Sequence, residues 1–120
     1  MFIHKTLVAA ALLVGMGRAY SVAQNANKPK VAPMTQSDRK ITKCELHGDK
    51  LHTEDVRISY GLIRQPEGYY EASKQFPHSN TRVMGGCVIS PDAPRLRTVK
   101  FCDDCRKAEK QWLDAHQIKR

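Results

Sequence analysis

Hydrophobic and polar positions divide the chain into an apolar leader, a polar stretch and a patterned segment beginning near Ile41. Val56, Ile58 and Tyr60 alternate with Arg57 and Ser59, the period-two pattern of a strand with one buried face, and predict extended chain over Leu51–Tyr60. Tyr69, Ala72 and Phe76 recur at spacings of three and four and predict a short helix that Pro77 ends. Thr81–Ser90 predicts a strand interrupted by Gly85-Gly86, where paired glycines mark a bulge or the close approach of a bulky group. Arg95–Phe101 predicts a return strand, with Val99 and Phe101 on one side, so that these two segments form an antiparallel hairpin. Asp103–Gln117 carries the strongest helical pattern. Cys105, Ala108, Trp112 and Ala115 share a face bordered by Leu113, Asp103 or Asp104 caps the start, and Trp112 is the largest candidate core block. The fold class expected is α+β, a small antiparallel sheet with a C-terminal helix.

The ends of the chain set the expected organisation. Lys5 and His4 precede an uncharged apolar run, Thr6–Met16, and Ser21-Val22-Ala23 closes it with small residues. That is the form of a secretory signal, with cleavage expected after Ala23. The run is far shorter than the ~20 apolar residues of a spanning helix, so the mature chain is expected to be exported, periplasmic or secreted, without a membrane span. Residues 24–40 hold two prolines, many polar residues and no hydrophobic period, and are expected to be a flexible linker. Residues 41–120 are then the folded domain. Aromatic residues make up only 7% of the chain, so a domain of this size needs a metal, disulfides or a partner to close its core.

Charge narrows the partners. Met1–Ala23 carries Lys5 and Arg18 and no acid, which leaves 18 basic and 12 acidic residues, a net charge of +6. An exported basic chain favours an acidic protein or surface, and nucleic acid is not expected.

Cysteine spacing supplies the candidate chemistry. Cys44-Glu45-Leu46-His47-Gly48 and Cys102-Asp103-Asp104-Cys105 each set two ligand types three residues apart. Two intervening residues let a tight turn aim both side chains at one ion, and Gly48 permits the left-handed backbone that such a turn requires. The second pair opens a helix, whose amides favour thiolate charge. The expected ligand set for a structural Zn2+ is Cys44, His47, Cys102 and Cys105. Cys87 competes as a substitute fourth ligand, or stands beside the site as a thiol packed on Trp112 or Phe101. The trailing glycine favours His47. Because Arg106 follows Cys105, haem attachment is excluded.

In these residues (Cys44, His47, Gly48, Cys102 and Cys105) the chain resembles zinc-ribbon and treble-clef zinc-binding domains, over residues 41–120. The resemblance implies a knuckle, an intervening hairpin and a second ligand pair at a helix start. The 54 residues between His47 and Cys102 are more than such domains usually carry, and one ligand is histidine. The order CxxHG, Tyr60-Gly61, Phe76-Pro77, Gly85-Gly86-Cys87, CxxC is also similar to small exported bacterial proteins.

Two other uses of sulfur stand beside the metal. Bridges Cys44–Cys87 and Cys102–Cys105 would make a disulfide-stabilised secreted domain. A thiol–disulfide or metal-handling protein would work through Cys102 and Cys105, although Asp103 and Asp104 oppose the low thiol pKa that redox chemistry needs. Tyr60, Tyr69, Tyr70 and Phe76 near Arg57 and Arg64 serve either as core and rim or as a face for a sugar or acidic peptide. His52, His78 and His116 lack ligand spacing, and no serine sits in a nucleophile context. No catalytic constellation emerges, and the expected function is a non-enzymatic binding module.

Overall fold

The computed structural model describes residues 28–119. The leader Met1–Ala23 and the first part of the expected linker lie outside them. Chain order is β1 (Val31–Ala32), α1 (Gln36–Lys40), β2 (His52–Ser59), α2 (Tyr69–Ala72) with a 3-10 turn (Ser73–Gln75), β3 (Val83–Met84), β4 (Leu96–Phe101) and α3 (Asp103–Ala115). Among the described residues, no helix is long and apolar enough to cross a membrane.

The domain is α+β, but its sheet is mixed. Strand order is β1-β4-β2-β3, with β2 antiparallel to β4 and parallel to β3, and β1 parallel to β4. The hairpin expected between Thr81–Ser90 and Arg95–Phe101 does not form. β3 is only two residues long and joins β2, with Ile58 opposite Val83. The reason lies in the glycines: Gly85 donates to Ser59 O at 2.8 Å, Gly61 donates to Gly86 O at 2.8 Å, and Gly86 has φ +105°. These bonds peel the chain off the sheet after Met84, so β4 pairs along the length of β2 instead. A Cβ on Gly85 would stand 2.5 Å from Tyr60 Cε1 and also collide with Ile58. Gly85→Ala is therefore expected to destabilise the domain by about 1–3 kcal/mol in a urea titration, the usual range for overpacking.

The polar segment before Ile41 carries structure where a tether was expected. Lys30 O accepts from the Arg95 amide at 3.0 Å, and Val31 and Ala32 pair with Leu96 and Arg97. Thr35 Oγ1 caps α1 by accepting from the Asp38 amide at 3.2 Å. Lys100 Nζ donates to Arg39 O at 3.2 Å and Ile41 O at 2.6 Å, satisfying carbonyls that the end of α1 leaves open.

Strand β2 buries Val56 and Ile58 and exposes Arg57, as its alternation requires. Helix α3 starts at Cys102, whose backbone is extended, and places Asp103 and Asp104 in its first turn. Its buried stripe is Cys105, Glu109 and Leu113, rotated from the expected one, and Ala115 is exposed. Trp112 is half-buried at the margin, edge-on to Tyr69 and stacked on His116, rather than the centre of the core.

That centre is Cys44, Leu51, Phe76, Cys102 and Cys105, with Ile41, Tyr69, Ala72, Ala108 and Trp112 packed round it. Three of the five buried side chains are thus cysteines, and only Leu51 and Phe76 contribute a large hydrocarbon. Arg106 ties α3 to the rest of the fold: its guanidinium lies 3.5 Å over Phe101, bonds Glu54 at 2.6 Å, and donates to Ser79 O at 2.9 Å.

Candidate metal centre

The first turn of the site is built by backbone hydrogen bonds. Cys44 N donates to Asp49 O and Gly48 N to Cys44 O, both at 2.8 Å, and Lys43 bridges to Lys50 behind them. Gly48 has φ +70°, the left-handed conformation that a side chain would resist. The Leu46 and His47 amides donate to the Cys44 sulfur.

The second pair is held by α3 and by the loop after Phe76. Cys102 N donates to His78 O at 2.9 Å, Arg106 N to Cys102 O at 3.1 Å, and the His78 amide to the Cys105 sulfur. Sequence reasoning missed His78, because its backbone does the work. Its buried imidazole Nε2 faces Glu45 Oε2 at 3.5 Å and makes no hydrogen bond.

The fold brings Cys44, His47, Cys102 and Cys105 together, their ligand atoms all within 4.8 Å of one another. The Cys44 and Cys105 sulfurs are 3.6 Å apart, and His47 Nδ1 lies 3.4 Å from Cys44, 3.6 Å from Cys102 and 3.4 Å from Cys105. Tetrahedral zinc, with bonds of about 2.3 Å to sulfur and about 2.0–2.1 Å to nitrogen, requires S–S edges of about 3.8 Å and S–N edges of about 3.6 Å. The measured edges agree to about 0.2 Å. All three cysteines are buried and His47 is exposed, so the cluster sits in the core with its imidazole towards solvent. It is a site that can hold a metal ion.

Cys87 stands apart. It is exposed on the loop that Gly85 and Gly86 lift away, outside this cluster, and packs on neither Trp112 nor Phe101 as a buried thiol would. All four cysteines are free thiols. The pairing Cys44–Cys87 is not formed, since Cys44 lies buried beside Cys105.

Electrostatics at the sulfurs run in opposite directions. Burial pushes the Cys44 thiol up, but hydrogen bonds from His47 and Leu46 outweigh it and bring the pKa down to about 7. For Cys105, burial dominates and the neighbouring Cys44 and Cys102 sulfurs add to it; the His78 amide opposes them, and the pKa is pushed up to about 12. A thiol held protonated in this way is a poor redox nucleophile.

The remaining candidates are structural. His52 meets Asp103 at 3.2 Å, His116 Nδ1 lies 2.8 Å from Trp112 O, and Tyr60 donates to Pro94 O at 2.7 Å. Phe76 is buried, Tyr69 packs on the core, and Tyr70 is exposed. Sequence reasoning also missed Glu109, 1% exposed, which accepts from Tyr69 Oη at 2.8 Å and Thr81 Oγ1 at 2.9 Å. Its flanks in the sequence are helical and charged, and nothing local announces a buried acid.

Comparison with protein-family models, with curated proteins and with solved structures finds no match.

Proposed function

We propose that the chain is an exported, non-enzymatic binding module whose fold is closed by one structural zinc ion, held by Cys44, His47, Cys102 and Cys105. The observation that carries this reading is the agreement of the ligand edges with a tetrahedron of three sulfurs and one imidazole nitrogen. Three thiolates and an imidazole form a soft donor set suited to zinc. Four protein ligands leave no position for a substrate water, which makes the site structural rather than catalytic. The core points the same way, because the cluster occupies the space that a larger domain fills with hydrocarbon. The basic balance of the chain supports an acidic partner.

Metal loading is expected to weaken as pH falls. Without the metal, Cys105 keeps its proton up to about 12 and Cys44 keeps one below about 7. Binding must displace the Cys105 proton across the neutral range, which costs about tenfold in apparent affinity per pH unit, and the Cys44 proton steepens the fall below about pH 7. Competition against a chromogenic chelator at pH 8, 7 and 6 measures this, once corrected for the chelator's own protonation. A pH-independent affinity would exclude thiolate ligation.

A further inference from the structure

The loop that reaches the metal centre also forms the wall of a cavity of about 410 Å3, lined among others by Tyr69, Phe76, Asn80, Thr81, Arg82 and Met84. That volume lies within the usual span for small-molecule sites, about 300–1,000 Å3.

Its chemistry is set from behind by Glu109. This buried carboxylate accepts the protons of both Tyr69 and Thr81, so the two hydroxyls are fixed in direction. A hydroxyl has one proton and two lone pairs. With its proton turned to Glu109, Thr81 offers the cavity an acceptor, which suits a ligand hydroxyl.

Arg82 supplies the opposite character. Its side chain is half-buried and has no carboxylate or hydrogen-bond acceptor among the described residues, whereas Lys74 on the same rim already pairs with Glu71 at 2.6 Å. A partly desolvated guanidinium is matched best by a carboxylate, which it can grip with two parallel bonds. Between these groups Asn80 has φ 39°, a left-handed conformation held by its own side chain, which donates to Lys100 O at 2.6 Å. Tyr69 and Met84 complete the wall with apolar surface.

We infer that this cavity binds a small hydroxylated carboxylate of the sugar-acid class, with its carboxylate on Arg82 and a hydroxyl on Thr81. The inference rests on the reading of a metal-held binding module and names its ligand. Metal content measured on every sample separates collapse of the module from loss of recognition.

The experiment is an amide-shift NMR titration of the purified chain with sodium glucuronate, with glucose and sodium acetate as halves of the same chemistry. Glucuronate is expected to shift the Ser79–Arg82 amides saturably, with glucose and acetate at least about tenfold weaker. Arg82→Gln is expected to weaken glucuronate about tenfold or more at unchanged metal content, and Arg82→Lys, which keeps the charge, to recover part of the loss. Three results would each overturn the proposal: no saturable shift at these amides, glucose binding as tightly as glucuronate, or native affinity in Arg82→Gln.

Discussion

Cys102→Ser is expected to abolish the fold. Cys102 is 0% exposed, caps α3 and contributes one corner of the sulfur cluster. A serine hydroxyl at that corner remains protonated and does not replace a thiolate ligand. Structural zinc in small domains is worth about 10–16 kcal/mol of apparent binding free energy, as much as or more than the whole stability of a typical domain, about 5–15 kcal/mol. Here the apolar core is two large side chains and three sulfurs, so little remains once the ion is lost. The expected result is a circular-dichroism spectrum without a cooperative thermal transition. Cys87→Ser, on the exposed loop, should melt like the native chain. A metal-free Cys102→Ser protein that melts cooperatively near the native temperature would refute the structural role.

Glu109→Leu has the next largest expected effect. The carboxylate is buried with two hydroxyl donors, and leucine removes the acceptor from both. Hydrogen bonds to a charged group contribute about 1.5–3 kcal/mol each, so the loss should reach about 3 kcal/mol or more. For a domain of this size that lowers the melting temperature by roughly 12–24 °C. Glu109→Gln keeps an acceptor and should lose much less. Both variants should retain the metal, since Glu109 lies outside the ligand cluster. Native stability in the leucine variant would show that the network carries no energy.

What could be read from residues alone was whatever is encoded locally. Cys44, His47 and Gly48 make a turn by their own backbone chemistry, and Cys102–Cys105 lies where a helix begins, so the grouping of these residues was legible at a distance of 54 residues. Strand β2 and helices α2 and α3 follow from their periods. Partner choice in the sheet was not local. Val83 and Met84 have strand character, but the bonds of Gly85 and Gly86 to Ser59 and Gly61 decide where the chain goes next. The short elements before Ile41 depend on β4 and Lys100, more than fifty residues away, although the Thr35–Asp38 cap was a signal in plain sight. Glu109 was hidden for the same reason: burying it is tolerable only because Tyr69 and Thr81 arrive from other segments.

The most direct measurement is metal analysis with thiol counting on the folded, untagged chain. About one zinc ion per chain and a single reactive thiol, Cys87, are expected, with the other three thiols appearing only after chelation in denaturant. A folded chain with no metal and no reactive thiol, or with all four thiols reactive and no metal, would contradict the metal-closed core.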